Sequence, residues 1–355
     1  MEASSLRILV LTTQVPFVRG GAEIHAENLK CALQAAGHEA EIVAIPFKWY
    51  PAERILDHML SCRLLDLTES NGTPIDLVIG LKFPAYLIPH PRKVLWILHQ
   101  FRTAYDLWDS PLGDIINHPL GKQIRHAINL ADNKLIPEAS AIFANSQNVA
   151  NRLLKYNSIK ATPLYHPPPQ ATEFYTAPGK DYLFFPSRLS PTKRQALAIE
   201  ALAATQEKVK IIFAGAPDFP PFVNELKNLA TRLNVEKYIV WRGLISEDEK
   251  RELYANSLGV VYPPVDEDYG YVTLEAMLSA KPVITCSDSG GTLEFVKHFE
   301  TGLIAAPTAQ SLAEMFDELW RNRSHAKIMG ENGRKLYKEQ DISWQSVVQQ
   351  ILKRT

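Results

Sequence analysis

Two carboxylates, Glu267 and Glu275, flank Gly270 in one short segment of the sequence. An apolar run before the segment predicts a strand, and the apolar, alanine-rich residues 274–280 predict a helix. A strand, a glycine-containing loop and a helix form anion sites in parallel α/β sheets, because a helix N-terminus has unpaired N–H groups and about half a positive charge. We expect Glu275 in the first helical turn, where its carboxylate could accept two hydrogen bonds from a ribose cis-diol. The segment therefore indicates a nucleotide site, with a solvated acidic loop before a helix capped at Thr273 as the alternative.

Two cations, Arg188 and Lys193, lie in a loop between a predicted strand that ends at Phe185 and the following helix. Arginine forks onto phosphate oxygens, while lysine supplies a compact point charge. Together they could clamp a diphosphate. A solvated surface pair is the alternative for isolated residues, but Pro191 and the position at the carboxyl end of a strand favour the clamp.

Two further loops give weaker signals. Gly20 and Gly21, at the mouth of a helix, would let the backbone approach a phosphate or sugar without a Cβ in the way, although a simple turn pair fits the same residues. Their spacing is not that of the dinucleotide-binding fingerprint. Ile245, after the predicted strand at residues 238–241, is either an apolar platform for a nucleobase or part of an ordinary βα turn.

Asp266 and Asp268 form an Asp-x-Asp pair, which holds Mg²⁺ or Mn²⁺ against a diphosphate in sugar transferases of another fold. Because nearby cations already supply positive charge, we expect no essential metal and no other cofactor. The cysteines show no metal-ligand spacing and are expected to be reduced core residues; they are Cys31, Cys62 and Cys286.

Short apolar runs place these loops in two α/β halves. Near-continuous Val, Ile and Leu predict strands that are buried on both faces of parallel sheets, with helices between them. The predicted strands are residues 6–12, 40–45, 77–81, 94–98 and 141–144 in the first half, and 182–185, 209–214, 238–241, 258–262 and 283–286 in the second. A chain of 355 residues suits two domains. The predicted fold class is therefore α/β, with two doubly wound, Rossmann-like domains that face a cleft.

Prolines mark the predicted domain boundary. Residues 162–179, which include His166 and the three prolines after it, cannot continue a sheet ladder or a helix interior, so we interpret them as the interdomain linker. The domains would be residues 1–170 and 171–335. Residues 336–355 would form a C-terminal helix that crosses back onto the first domain through its apolar positions, Val347, Val348, Ile351 and Leu352.

Composition excludes several classes of protein. A net charge of −1 gives no global basic field, so we expect no nucleic-acid partner. No apolar stretch approaches the ~20 residues that span a bilayer, and residues 6–12 are too short for a signal peptide. We therefore expect a cytoplasmic protein, with loose, peripheral association with a membrane surface left open.

Taken together, these loops resemble the retaining glycosyltransferases of family 4, which have the GT-B fold. The resemblance extends over nearly the whole chain, and one departure is Arg194, where the family usually has glycine. The motifs that carry it are Arg188 with Lys193, Glu267-x7-Glu275, residues 289–296 with 301–303, and the weaker matches at residues 20–23 and 144–146.

The resemblance implies transfer of a hexose from a nucleotide-diphosphate sugar to a saccharide or lipid-linked saccharide, with the anomeric configuration kept. UDP-glucose is slightly preferred over GDP-mannose as donor, and the process would be polysaccharide or glycoconjugate synthesis. The first domain would be the acceptor side and the second would bind the nucleotide sugar. Retention without an obvious nucleophile is consistent with front-face attack, in which stabilisation of the leaving phosphate is the main catalytic effect.

Residue roles carry over by position. Arg188 and Lys193 would neutralise the diphosphate, Glu275 would hold the ribose, and Glu267 would contact the transferred sugar. His99, at the end of a predicted strand of the first domain, resembles a family histidine near that sugar and completes the catalytic set, although a structural histidine is equally compatible. The other donor-binding residues would be Gly20, Gly21, Ile245, Lys250, Tyr269, Gly270, Tyr271, Val272 and Thr273.

The segment at residues 101–108 combines aromatic and polar side chains that suit sugar stacking and hydroxyl recognition, so Arg102, Tyr105 and Trp108 are predicted to bind the acceptor. Three alternatives come from other classes. A NAD-dependent dehydrogenase would need the missing glycine fingerprint. A nucleotide-sugar epimerase of GT-B fold would isomerise donor alone, and a non-catalytic nucleotide-sugar-binding protein would show no turnover.

Overall fold

The computed structural model describes residues 5–354 and divides into two compact units. The first unit runs to Pro169 and takes in the chain from Ser343 onward, and the second is Gln170–Ile342. Each unit contains one six-stranded sheet in which every pairing is parallel. Within residues 5–354, no helix is both long and apolar enough to cross a membrane.

The first unit begins with a long strand and a helix, as the sequence predicts. Its strands are β1 (Arg7–Gln14), β2 (Glu39–Pro46), β3 (Glu69–Ser70), β4 (Thr73–Pro74), β5 (Leu77–Lys82), β6 (Lys93–His99), β7 (Ala141–Ala144) and β8 (Thr162–Pro163). Its helices up to the boundary are α1 (Gly21–Ala35), α2 (Arg54–Leu64), α3 (Gly121–Leu135) and α4 (Gln147–Asn157). The sheet order is β2-β1-β5-β6-β7-β8, while β3 and β4 form a separate two-residue hairpin.

The second unit repeats the alternation of strand and helix. Its strands are β9 (Leu183–Pro186), β10 (Ile211–Ala214), β11 (Ile239–Gly243), β12 (Gly259–Val261), β13 (Val283–Cys286) and β14 (Gly302–Ala305). Its helices are α5 (Gln195–Ala204), α6 (Pro220–Arg232), α7 (Glu247–Asn256), α8 (Tyr271–Leu278), α9 (Ala309–Arg321) and α10 (Arg323–Glu339). The order β11-β10-β9-β12-β13-β14 is doubly wound and reverses direction between β9 and β12.

Burial explains why the strand predictions are confirmed. The central strands of both sheets are buried along nearly their whole length, which requires the unbroken apolar runs that the sequence contains. The two-residue β8 and the four-residue β14 were not predicted. Of the cysteines, Cys62 and Cys286 are buried as expected, but Cys31 lies on the exposed face of α1, so its predicted place in the core is wrong.

The boundary between the units falls within the predicted linker, residues 162–179, but much of this segment is packed rather than a free linker. Thr162–Pro163 forms β8, which pairs with β7, and Leu164 is a core residue of the first unit. Proline can occupy β8 because an edge strand does not need every N–H for its ladder. Phe174 lies in the core of the second unit. The prolines therefore lie in packed structure, and the boundary between the units falls at Pro169.

The C-terminal segment begins later than the predicted residue 336. Helix α10 continues to Glu339 in the second unit, and Tyr337 within it is buried. The segment of the first unit starts at Ser343, whose side chain accepts a hydrogen bond from Ser346 N and caps α11 (Trp344–Leu352). Residues Val347, Val348 and Ile351 of α11 are buried in the core of the first unit.

Two histidines are buried side by side beneath α11. Nδ1 of His25 lies 2.9 Å from Nε2 of His166, and both rings pack edge-on against Trp96 and lie near Trp344. Burial lowers the pKa of His25 to about 3. Burial and the neighbouring His25 hold the pKa of His166 well below its ordinary value. Both rings are therefore neutral in the folded protein.

We expect the free energy of unfolding to fall as the pH drops below about 6.5, because only the unfolded chain then protonates these two histidines. Each contributes a slope of up to about 1.4 kcal/mol per pH unit. Thermal unfolding followed by tryptophan fluorescence should show a shallower dependence in His25→Asn/His166→Asn than in the wild type. The exposed His126→Gln serves as control, and equal slopes in all three proteins would contradict the prediction.

Candidate functional site

The sheet order of the second unit brings two of the predicted loops together. The order reverses between β9 and β12, and the loops that follow these strands are residues 187–194 and 262–270. In open α/β sheets such a reversal opens a crevice at the carboxyl ends of the strands, where ligands bind. The two loops are in direct contact, since Val265 N donates to Thr192 O at 2.8 Å.

A cation and a carboxylate from these loops form an ion pair. The Lys193 ammonium donates to Glu267 Oε2 and, at 3.1 Å, to the hydroxyl of Tyr262. Tyr262 in turn donates to Glu267 Oε2 at 2.8 Å. Burial and the Glu267 charge raise the pKa of Tyr262 well above its ordinary value, so the phenol stays protonated. The side chains of Lys193 and Glu267 remain 15% and 19% exposed, which leaves them within reach of a ligand.

A second cation–carboxylate pair surrounds Glu275. Its Oε1 accepts from Lys250 at 3.1 Å and its Oε2 accepts from Tyr254 at 2.7 Å. Lys250 also lies 2.6 Å from Glu247. Burial lowers the pKa of Lys250, but the carboxylates of Glu275 and Glu247 more than offset it, so the pKa is raised and the ammonium stays charged. Ile245 packs against the same core cluster as Tyr254.

The position of Glu275 in its helix differs from the prediction. Helix α8 begins at Tyr271, so Glu275 lies in the second turn rather than the first. Gly270, with φ of +81°, caps the helix in the left-handed conformation that favours glycine. Thr273 is a buried helical residue and not the predicted cap. The sequence predicts the helix from the apolar run that starts at residue 274, but Gly270 adopts the left-handed cap conformation that lets the helix begin at Tyr271.

Two buried threonine hydroxyls lie near the start of α8. The Oγ1 atoms of Thr273 and Thr292 are buried and have no hydrogen-bond partner within residues 5–354. A Cβ at Gly270 would lie 3.3 Å from Thr292 Oγ1 and 3.1 Å from the Tyr262 ring, so this backbone fits closely against both. Buried hydroxyls without partners cost free energy. A ligand with acceptor oxygens at this helix N-terminus would satisfy them.

The remaining cations of the first loop are paired with carboxylates. Arg188 forms an ion pair with Asp218, and its side chain is 63% exposed. Arg194, which stands where the resemblance expects glycine, has φ of +59° and donates to both oxygens of Asp288 at 2.6 Å. That bidentate pair holds an arginine in a conformation otherwise typical of glycine.

Gln195 fixes the shape of this loop, and sequence reasoning missed it. Its buried side-chain nitrogen donates to Arg188 O at 2.8 Å and to Ser187 Oγ at 3.1 Å, while its oxygen accepts from Ser190 N at 3.2 Å. A polar residue at the start of the predominantly apolar α5 is the one signal that could have indicated a role. Tyr269, predicted to contact the donor, is mostly buried and packs edge-on against Tyr271 and Phe295.

In the first unit, the glycine pair caps a helix. Gly20 N donates to Glu23 Oε2 at 2.7 Å, and Glu23 Oε1 lies 3.5 Å from the Lys82 ammonium. The backbone N–H of Gly20 is thus occupied by a carboxylate, which favours the turn interpretation over a phosphate contact. Gly21 is the first residue of α1.

The predicted catalytic histidine and the three residues predicted for the acceptor separate into two groups. His99 and Arg102 line a cavity of about 310 Å³, together with Lys82 and Asp114. His99 Nδ1 lies 2.7 Å from Gln100 O, and Arg102 pairs with Asp106 at 2.6 Å.

Tyr105 and Trp108, by contrast, are core residues with 4% and 6% exposure. Tyr105 donates to Asp132 at 2.7 Å, and the Arg125 guanidinium covers the Trp108 ring at 4.5 Å. Their predicted contact with an acceptor is therefore wrong, because both aromatic faces are already packed.

Asp266 and Asp268 do not build a metal cluster. Across the part of the chain that the structure describes, no group of three or more His, Cys, Asp or Glu side chains is arranged to hold a metal ion. That the protein works without a metal stays a prediction.

Sequence comparisons match a family model within the second unit and relatives over longer parts of the chain. Residues 172–336 match the family model for glycosyl transferases group 1. The chain is 27% identical over 267 residues to human alpha-1,3/1,6-mannosyltransferase ALG2, a match that covers 70% of this chain and 64% of the human protein. It thus spans just under two thirds of that relative. It is 25% identical over 387 residues to alpha-maltose-1-phosphate synthase of Mycolicibacterium smegmatis, covering 98% of each chain.

Comparison with solved structures identifies the fold. The structure of Anabaena Alr3699/HepE in complex with UDP and glucose superposes with a TM-score of 0.70 at 18% identity, covering 97% of this chain and 98% of that chain. The prediction of two Rossmann-like α/β domains with the GT-B fold is confirmed.

Proposed function

We propose that this protein is a retaining glycosyltransferase of family 4, which transfers a hexose from a nucleoside diphosphate sugar to a saccharide or lipid-linked acceptor. The observation that carries the proposal is the pair of cation–carboxylate clusters, Lys193 with Glu267 and Lys250 with Glu275. They flank the N-terminus of α8 beside the strand-order reversal of the second sheet. A diphosphate linking a sugar to a ribose presents one charged centre and two hydroxyl-bearing ends, which this arrangement matches.

Glu275 suits the ribose. Each of its oxygens accepts one hydrogen bond, from Lys250 or from Tyr254. A carboxylate oxygen has two lone-pair positions, so one on each oxygen stays available for the vicinal hydroxyls of a ribose. Because Lys250 and Tyr254 hold the carboxylate in one orientation, little side-chain freedom is lost when the nucleotide binds.

Lys193 suits the diphosphate. Its charge is balanced by Glu267, beside Gly270 at the N-terminus of α8. A diphosphate would take over the ammonium and leave the Glu267 carboxylate to accept from hydroxyls of the transferred sugar. Negative charge grows on the leaving phosphate during transfer, and a fixed ammonium with a helix N-terminus stabilises it there. Arg188, exposed and paired with Asp218, would contribute less.

Two of the compared proteins point to different donor sugars. The human relative is a mannosyltransferase, whereas the Anabaena structure contains UDP and glucose. We propose UDP-glucose, with GDP-mannose as the alternative. The first unit would supply the acceptor side through the cavity beside His99 and Arg102. We also propose that the reaction needs no metal and takes place in the cytoplasm, with peripheral membrane association as an option.

A thermal-shift screen over nucleoside diphosphates and nucleotide sugars tests the donor site. A ligand at 100 times its Kd should raise the free energy of unfolding by about 2.7 kcal/mol, and nucleosides without phosphate should do little. The best donor is then incubated alone and with saccharide acceptors. Isomerised sugar from donor alone would instead establish an epimerase, and binding without any turnover a nucleotide-sugar sensor. No stabilisation by any nucleoside diphosphate would overturn the proposal.

A further inference from the structure

A cavity of about 790 Å³ lies at the end of the second sheet that is formed by the amino ends of its strands. Leu258 and Pro282, which line it, directly precede β12 and β13, so the cavity is at the amino ends of these strands. The donor-site loops follow the carboxyl ends of β9 and β12, so the cavity and the donor site lie at opposite ends of the strands. Cavities of this volume are typical of small-molecule sites.

The charges that line the cavity are almost all positive. Six of its lining side chains are cationic and one, Glu331, is acidic. The cations are Lys281, Arg323, Lys327, Arg334, Lys335 and Lys338. Since the chain as a whole has a net charge of −1, this excess is local. A concentration of one sign in a concave site attracts ligands of the opposite sign.

Carboxylates compensate only part of this charge. Arg323 pairs with Asp181 at 2.7 Å. Lys327 lies 3.8 Å from Glu331 and Lys335 lies 3.8 Å from Glu339, in exposed pairs of the kind that contribute little. Arg334 and Lys338 are four residues apart on α10, where like charges repel, and neither has an ion-pair partner in residues 5–354.

Of the six lining cations, Lys281 is the buried one. It is 5% exposed, and its ammonium donates to Ala177 O at 2.8 Å. No carboxylate within residues 5–354 forms an ion pair with it. Burial accordingly lowers the pKa of Lys281 to about 8, so that near neutral pH the group is still largely protonated. A buried ammonium is ordinarily paired with an anion, and here the space beside it is open.

The backbone holds this arrangement in place. A Cβ at Gly330 would lie 2.1 Å from Ala280 O, so α10 packs directly against the chain that carries Lys281. Apart from Thr176, the uncharged part of the lining is apolar and includes Pro178, Leu258, Pro282 and Ala326. A fitting ligand thus combines an anionic group with an apolar part.

We propose that this cavity is a second ligand site, which binds a phosphate monoester carried on an apolar group, with the phosphate among Lys281, Arg334 and Lys338. A phosphate monoester bears a charge of about −1.5 to −2 and three acceptor oxygens, which several cations can share. A carboxylate, with a single negative charge, would neutralise only one of the three cations. The phosphate comes either from a soluble phosphorylated molecule or from the headgroup of a lipid.

Calorimetry with hexyl phosphate and with inorganic phosphate tests the site on the full chain. We expect hexyl phosphate to bind the wild type with a Kd at or below about 1 mM, and more tightly than inorganic phosphate. Lys281→Met should weaken its binding about tenfold or more, since a charge-assisted hydrogen bond is lost. Arg334→Gln/Lys338→Gln, which changes side chains on the surface of α10, should weaken it comparably. The exposed Lys208→Met should leave it unchanged.

Two further measurements separate the sources and the sites. Sedimentation uses phosphatidylcholine vesicles with and without phosphatidic acid. The source is a lipid if the wild type sediments only with the vesicles that contain phosphatidic acid and neither variant does. Binding of hexyl phosphate without vesicle retention identifies a soluble source. Stabilisation by nucleoside diphosphate should be the same in all variants. A negative result for the phosphate site therefore does not contradict the proposed donor site. No binding of either phosphate compound, or binding that both variants retain in full, would overturn the proposal.

Discussion

Lys193→Met is expected to lower kcat/KM for sugar transfer about 10²–10³-fold, the usual effect of removing one fixed donor from a developing negative charge. The ammonium lies 3.1 Å from the Tyr262 hydroxyl and is paired with Glu267, so its position is fixed before a ligand arrives. A methionine keeps most of the apolar stem and removes the charge together with the ammonium's hydrogen-bond donors. Initial rates with the best donor from the screen, over a range of donor and acceptor concentrations, measure the effect.

Affinities separate this electrostatic role from general damage. Lys193→Met should weaken binding of the nucleoside diphosphate much more than binding of the nucleoside, because only the former contains the diphosphate. Arg188→Met should have a smaller effect, since that side chain is 63% exposed and screened by solvent. Lys208→Met is the matched control on a distant exposed loop. If Lys193→Met left transfer rates and diphosphate affinity at wild-type values, the assignment of Lys193 to the phosphates would be wrong.

Glu275→Gln is expected to weaken nucleoside diphosphate binding about 10- to 100-fold, as for loss of hydrogen bonds to a charged group. The glutamine keeps the shape of the side chain but has only one acceptor oxygen. Its amide also meets Lys250 and Tyr254, whose N–H and O–H groups both need acceptors. Titration calorimetry with the diphosphate measures the loss.

A 2′-deoxy nucleoside diphosphate makes this test specific for the ribose. The wild type should bind the deoxy compound more weakly than the ribo compound, whereas Glu275→Gln should bind the two alike. Glu247→Gln is the matched control, because it removes the other carboxylate partner of Lys250, at 2.6 Å, and leaves Glu275 in place. Were Glu275→Gln to discriminate between ribo and deoxy compounds as well as the wild type does, the carboxylate would have only a structural role towards Lys250.

The sequence predicted the strands well because burial on both faces leaves a local trace. Residues 77–81 and 94–98 are apolar throughout, and the structure buries all of them in central strands. The same local signals misplaced the start of α8, since an apolar run identifies a helix better than its first turn. The prolines also predicted a linker at residues 162–179. They did not show that β8 and Phe174 pack into the two units, because proline excludes regular structure more readily than it excludes packing.

What the sequence determined by itself is the set of elements and the chemistry of the loops between them. Three properties are local and are present before the chain folds. They are the spacing of apolar residues, the positions of glycine and proline, and the charged residues at 188, 193, 267 and 275. They suffice for the fold class and for the strand-to-helix loops that would hold a diphosphate.

Only the tertiary structure decided which of these groups meet. Lys193 pairs with Glu267 across 74 positions and Lys250 with Glu275 across 25, and the strand order that joins them leaves no trace in local periodicity. It also buried Tyr105 and Trp108, brought Gln195 under its loop and left Lys281 beside an open cavity. Such outcomes depend on sheet order and helix packing, which set the distances between residues remote in sequence.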